Sequence, residues 1–163
     1  MIPLKPSMRE ALNEQMNKEL YSGYLYLSMS AYFESEALLG FAQWMKDHAQ
    51  EEVDHAMKIF HFMNERGQRV TLGAIDQPET EFPSPLSVFE MALAHEKMVT
   101  GLINDLYELA LSEKDHATAV FLQWFITEQV EEEATFGDIL DQLKRAGTSE
   151  HALFMLDRHL ISA

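Results

Sequence analysis

A carboxylate and an imidazole stand where a helix should be apolar. Met45, His48, Glu52, His55, Ile59 and Phe62 step by three or four residues and so share one stripe of a helix. Glu52 and His55 lie one turn apart near its middle and point the same way. An ionised carboxylate buried without a partner costs several kcal/mol. Two arrangements remove that cost: a carboxylate–histidine pair inside the core, or a metal ion held by both groups. In either case the stripe faces other helices rather than water.

Three further stripes are interrupted in the same manner. Ser7-Met8-Arg9-Glu10 fits a capping box and predicts a first helix over about 7–34, whose stripe Leu12, Met16, Glu19, Gly23, Tyr26, Ser30 contains Glu19. Gly40 closes a short connection, and the second helix covers about 41–66 with Gly67 as its C-terminal cap. Ser84 caps a third helix over about 84–111, with Pro85 at its first position and Glu96 inside the stripe Phe89, Ala92, Leu93, Glu96, Val99, Ile103, Leu106. The fourth, over about 115–146, carries Phe121, Leu122, Phe125, Gln129, Glu132, Phe136, Ile139 and Leu143 and ends at Gly147. Ser149 caps a short fifth helix over about 149–160, with Leu153, Phe154, Leu156 and Leu160 as apolar positions.

The expected fold is all-α, a four-helix bundle with a short fifth C-terminal helix, in one domain spanning 1–163. The connection from Gln68 to Pro83 has no sustained period and holds Gly73, Pro78 and Pro83. A helix of about 26 residues is ~39 Å long. Sixteen extended residues reach ~55 Å, enough to run the length of the bundle. Helices two and three are therefore expected to be parallel, joined by one long crossover. The polar layers align with or without that crossover, so only the loop length speaks for it.

Composition excludes several chemistries. Cysteine is absent, which removes disulfides, thiolate nucleophiles and thiolate-bound metal clusters. A net charge of −15 repels nucleic acid and anionic membranes and attracts cations. No apolar run approaches the ~18 residues of a membrane span. Met1-Ile2-Pro3-Leu4-Lys5-Pro6 lacks a signal-peptide core, so a cytoplasmic location is expected.

Glu19, Glu52 with His55, Glu96, and Gln129 with Glu132 fall in one layer of such a bundle. Two like charges 4 Å apart repel by about 4 kcal/mol at an effective dielectric of ~20. The acids must therefore be protonated or have cations between them. Four Glu, one Gln oxygen and one His make a hard, oxygen-rich set that suits iron or manganese. Di-iron carboxylate bundles draw one Glu from each of two helices and Glu-x-x-His from each of the other two. Here Glu19 and Glu96 are the single acids and Glu52-x-x-His55 is one pair; the second is altered to Gln129-x-x-Glu132.

With those residues in view the chain resembles the bacterial-type non-haem ferritins along essentially its whole length. The likeness rests on Asn13-Glu14-Gln15-Met16-Asn17-Lys18-Glu19-Leu20-Tyr21-Ser22, on His48-Ala49-Gln50-Glu51-Glu52, on Phe121-Leu122-Gln123-Trp124-Phe125 and on Glu128-Gln129-Val130-Glu131-Glu132-Glu133. It implies a ferroxidase centre within each subunit. Glu19, Glu52 and His55 would hold one iron, and Glu52, Glu96 and Glu132 the second, with Glu52 bridging and Gln129 a neighbouring polar group. It also implies a third iron site from Glu51, Glu128 and Glu131, sharing Glu132, with a solvated acidic face as the alternative for those three. Tyr26 matches the family's tyrosine beside the centre; a core tyrosine with one hydrogen bond is the plainer alternative, and Trp124 is equally ambiguous. Haem-binding relatives place a methionine directly after the bridging Glu; Val53 stands there, so no haem is expected. His48, one turn before Glu52, could support the site from behind, with a packed core histidine the plainer reading, and His61, His95, His116, His151 and His159 show no ligand partner by spacing.

The function implied is iron storage: Fe(II) oxidised by dioxygen or hydrogen peroxide, then deposited as ferric oxo-hydroxide inside a hollow shell of 24 copies. The fifth helix, with an apolar face of its own, is the one element that supports assembly directly. A fixed-cofactor di-iron oxidase or rubrerythrin-like peroxidase would want a second Glu-x-x-His and often a cysteine-bearing tail. A DNA-protecting mini-ferritin would want its site between subunits and often a basic tail.

Overall fold

The computed structural model describes residues 3–161. It is all-helical: α1 (Pro6–Ser35), α2 (Leu39–Glu65), α3 (Pro85–Ser112), α4 (His116–Ala146) and α5 (Glu150–Ile161). Ring contacts fix the topology. Phe33 near the end of α1 stacks on Phe41 at the start of α2, 5.1 Å between centroids, so that pair is antiparallel. Phe41 also meets Phe89 at the start of α3 at 5.7 Å, which makes α2 and α3 parallel. Phe62 late in α2 stacks on Phe121 early in α4 at 4.0 Å, so α4 is antiparallel to both.

The crossover between α2 and α3 climbs the outside of α1. Thr71 N–H donates to Asn13 Oδ1 at 3.0 Å, Asn17 Nδ2 donates to the Ala74 carbonyl at 3.1 Å, and Phe82 meets Tyr32 at 5.5 Å. At its start Gly67 takes a left-handed φ of 71° and Gln68 N–H reaches back to the Met63 carbonyl at 2.9 Å, a helix-terminating turn that a side-chain-bearing residue strains to make.

Three local expectations are corrected. The first helix begins one residue before Ser7: Lys5 is the capping position, Pro6 opens the helix, and no side chain caps it. Proline's fixed φ suits the first helical position, which displaces Ser7 from the cap. Ser7 Oγ instead donates to Glu113 Oε1 at 2.6 Å. Gly40 lies within α2 rather than in the connection. A Cβ there would sit 1.9 Å from the Asp157 carbonyl oxygen, so glycine allows α5 to dock on the start of α2. The fifth helix is accordingly anchored in its own chain: Leu156 is buried, Leu153 and Leu160 pack on the core, and Asp157 Oδ1 accepts from Phe41 N–H at 2.9 Å. Phe154, Met155 and Ile161 remain exposed.

Two apolar clusters fill the bundle. One is aromatic, with Tyr26, Phe33, Phe41, Phe89 and Phe136. The other is aliphatic, with Met8, Leu12, Ile59, Met63, Ile103 and Leu122, and Phe125 at its border. Gly23 sits between them; a Cβ there would press on the Ala49 carbonyl oxygen at 3.0 Å, so this glycine draws α1 and α2 together where the polar layer begins. At the far end the Arg66 guanidinium grips both oxygens of Asp115, at 3.0 and 3.3 Å, and ties the end of α2 to the capping residue of α4.

Candidate metal centre

The polar layer lies between the two clusters, so apolar side chains shut it off above and below. Glu19, Glu52, His55, Glu96, Gln129 and Glu132 are all buried, none more than 5% exposed. Each arrives from the middle of a long helix, and Gln129 reaches a backbone group there, its Nε2 donating to the Glu96 carbonyl oxygen at 3.2 Å.

Two triads of candidate ligands share a member. Glu19, Glu52 and His55 each offer an atom within 4.8 Å of the others, and so do Glu52, Glu96 and Glu132. Glu52 thus belongs to both. In the first triad His55 Nδ1 lies 3.3 Å from Glu52 Oε2 and 3.9 Å from Glu19 Oε2. Gln15 Nε2 donates to Glu19 Oε1 at 3.1 Å. In the second, Tyr26 O–H donates to Glu96 Oε1, and Gln129 Nε2 donates to Glu96 Oε2 at 3.1 Å and to Thr100 Oγ1 at 3.1 Å. Gln129 therefore meets Glu96 through its amide nitrogen, as a donor, whereas the sequence suggested an oxygen ligand. Trp124 lies edge-on to His55 at 5.2 Å, with Lys58 Nζ 4.2 Å above its ring.

The electrostatics are those of a site built for cations. Burial raises the pKa of Glu19 and Glu52 well above the carboxylate range. Glu52 pushes Glu19 up further; for Glu52 the contact with Glu19 acts downward, and the charges of Glu96 and Glu132 act upward. Glu96 is raised by burial too, against the hydrogen bonds from Tyr26 and Gln129 that favour its charged form. Glu132 is pushed up to about 9 by burial and by Glu96, Glu51 and Glu128. Burial likewise lifts the Tyr26 phenol, helped by Glu96 and Glu52. Among the described residues, nothing hydrogen-bonds the buried Glu19 Oε2 and Glu132 Oε2. An unsatisfied buried carboxylate oxygen is costly, and a cation lying among these acids would satisfy both.

The residues suggested for a third site are placed unevenly. Glu128 is half-buried and groups with His55 and Glu132. Glu51 groups with Glu132 and with His48. Glu131 is exposed and joins none of these groups. Sequence reading missed Gln15 and Thr100 and preferred the core reading for His48. His48 and Gln15 each stand four residues before a candidate ligand on the same stripe, the one signal available; the partners from other helices cannot be read along a single stripe.

A ferritin-like domain profile matches residues 9–146. The chain is 42% identical to a bacterial non-haem ferritin of Campylobacter jejuni over 157 residues, covering 96% of this chain and 94% of that one. A bacterial non-haem ferritin of Bacteroides fragilis is 43% identical over 157 residues, covering 96% of this chain and 98% of the relative. Among solved structures, an open-pore ferritin of the hyperthermophilic archaeon Archaeoglobus fulgidus superposes with a TM-score of 0.95 at 51% identity, over 96% of this chain and 97% of that one.

Proposed function

Since the chain belongs to the ferritin family, we propose that it stores iron, taking Fe(II) as substrate at a di-iron ferroxidase centre inside each subunit. The observation that carries this reading is Glu52, common to two triads of buried candidate ligands and so able to bridge two ions. Glu19 and His55 complete the first position, and Glu96 and Glu132 the second. Tyr26 and Gln129 hold Glu96 by hydrogen bonds and orient it.

Two Fe(II) ions each give up one electron. Dioxygen takes both electrons with two protons and leaves as hydrogen peroxide; if peroxide is the oxidant, it takes them with two protons and leaves as two waters. The oxidant supplies the driving force and the carboxylates add to it, because hard oxygen ligands favour the harder ferric ion. The carboxylates also lose their protons when the ions enter, since a cation offsets both the burial and the neighbouring charges that raise each pKa. Ferric iron then passes toward Glu128, Glu51 and Glu131 on its way to a mineral held in a hollow shell of copies of this chain. The exposed Phe154, Met155 and Ile161 of α5 are apolar surface that assembly would cover.

Particle mass by size exclusion with light scattering, together with iron per particle after ferrous loading in air, tests the reading. A large particle holding far more than two irons per subunit is expected. A monomer or dimer retaining two irons per subunit would mean a fixed-cofactor oxidase instead.

A further inference from the structure

We propose that His48 is a metal ligand: its Nε2, with Glu51 and Glu132, takes a divalent transition-metal ion at the outer edge of the centre. The inference deepens the iron-site reading above and rests on it.

The imidazole is held in the pose that a ligating histidine needs. His48 Nδ1 lies 3.2 Å from the Trp44 carbonyl oxygen. A carbonyl only accepts, so Nδ1 carries the proton, and in the neutral ring Nε2 is left with a lone pair. The ring is stacked on Trp44, 3.8 Å between centroids, and stands edge-on to Phe136 at 5.1 Å. A backbone carbonyl on one nitrogen, fixing the tautomer and the ring plane, is the usual support for a histidine that binds metal through the other.

The lone pair points at two acids. Nε2 is 3.8 Å from Glu51 Oε2 and 3.9 Å from Glu132 Oε2. Those separations are too long for hydrogen bonds. An ion about 2.1 Å from nitrogen and oxygen fits between them. The oxygen of Glu132 that faces His48 is the one buried without a hydrogen-bond partner, on a side chain 5% exposed. A ring lone pair and two carboxyl groups converge there at separations too long for them to bond one another, and a cation would bind all three. Glu51, 51% exposed at its side chain, leaves one side open for entry.

The donor set differs from the all-oxygen face that the acidic sequence suggests. An imidazole suits Fe(II) and Zn(II) better than ferric iron, which prefers carboxylate and oxide. This position therefore receives the divalent ion and hands it across Glu132, the carboxylate it shares with the second iron.

Zinc(II), which is redox-silent and forms no mineral, is the probe. Crystals of the assembled protein soaked in Zn(II) are compared by anomalous scattering for wild type, His48→Phe and Glu51→Gln. His48→Phe keeps a ring against Trp44 and Phe136, and Glu51→Gln changes an exposed side chain that the fold does not need. In wild type, an ion is expected bonded to His48 Nε2, Glu51 and Glu132. Its occupancy should fall about tenfold or more in either variant, while the ion on Glu19, Glu52 and His55 persists. The proposal is overturned if no ion bonds His48 Nε2, if the ion sits among Glu51, Glu128 and Glu131 with His48 unbonded, or if His48→Phe leaves the occupancy unchanged. Absence of any ion at Glu19, Glu52 and His55 would count against the iron-site reading itself, at a separate position in the same map.

Discussion

The two halves of the centre share Glu52 and differ in almost everything else. The half on α1 and α2 has Glu19, Glu52 and His55, with a nitrogen donor and an oxygen, Glu19 Oε2, that no hydrogen bond reaches. The half on α3 and α4 has no nitrogen ligand, and both oxygens of its Glu96 are already occupied, by Tyr26 and Gln129. Each half holds one orphaned oxygen, Glu19 Oε2 or Glu132 Oε2, but the second also holds a carboxylate, Glu96, with both oxygens already hydrogen-bonded. An ion entering either half relieves an orphan; the first also offers an imidazole, whereas in the second an ion must compete for Glu96 with its hydrogen bonds. The physical expectation is a tight first position and a looser second one, which suits a site that passes iron on.

The largest effect should come from removing what the halves have in common. Glu52→Ala takes a ligand from both ions, and initial Fe(II) oxidation should drop by about 100-fold or more. The metal-free fold should survive, because one buried acid fewer means less repulsion among Glu19, Glu96 and Glu132. Stopped-flow absorbance of the ferric product gives the rate; an unchanged initial rate would break the assignment of Glu52 as bridge.

A second change makes the halves alike. Gln129→Glu with Glu132→His restores Glu-x-x-His on α4, opposite the pair on α2. Two irons per subunit should then survive desalting, with retention about tenfold above wild type, and later ferrous additions should be oxidised more slowly than the first. Equal retention and equal turnover would show that the ligand swap is not what separates storage from a fixed cofactor.

Both halves contain acids whose folded pKa is raised, and the sign of the pH effect follows. Between the ordinary glutamate pKa near 4.5 and the value of about 9 reached by Glu132, the folded metal-free protein binds more protons than the unfolded chain. Its stability should therefore fall as pH rises through that window, with a melting temperature several degrees higher at about pH 5.5 than at about pH 8. Zn(II) should reverse the trend, since it replaces the protons and its stabilisation grows with pH. Calorimetry with and without Zn(II) checks this; a metal-free protein that gains stability from pH 5.5 to 8 would mean the acids are not held protonated in the fold.

How much of this was legible beforehand depends on whether the signal lay along one helix. Glu19, Glu52, His55, Glu96, Gln129 and Glu132 each interrupt a periodic apolar stripe, and that interruption is visible in the sequence. The long crossover was legible from Gln68–Pro83 because chain length bounds what a loop can span. What stayed hidden was relational. His48 reads as a core residue until Glu132 arrives opposite it from α4, and the orientation of Gln129 follows from Thr100 and Glu96 on α3. The helix start at Pro6 was misplaced because two N-terminal signals, a capping box and a proline, compete within two residues. The fifth helix was read as an element of assembly because nothing in its own pattern shows that Gly40 leaves room for it on α2.

The smallest expected effect tests the second half alone. Tyr26→Phe removes one hydroxyl and keeps the ring, which packs on Phe136 at 5.3 Å and on His95 at 6.0 Å. Stability should change by about 1 kcal/mol. The consequence for chemistry is more specific. The Tyr26 hydrogen bond favours the charged form of Glu96, so without it the Glu96 pKa, already raised by burial, rises further. The second ion must then displace a more firmly held proton, and Fe(II) oxidation should slow severalfold near neutral pH, less so as pH increases. Zn(II) affinity at Glu19, Glu52 and His55 should not move, because no hydrogen bond from Tyr26 reaches that half. A rate–pH profile displaced upward, with an unchanged first Zn(II) affinity, is the expected result. An equal loss at every pH would mean that the hydroxyl acts on iron or oxidant directly rather than through Glu96. A weaker first Zn(II) site would mean that the two halves are less independent than their hydrogen bonds make them.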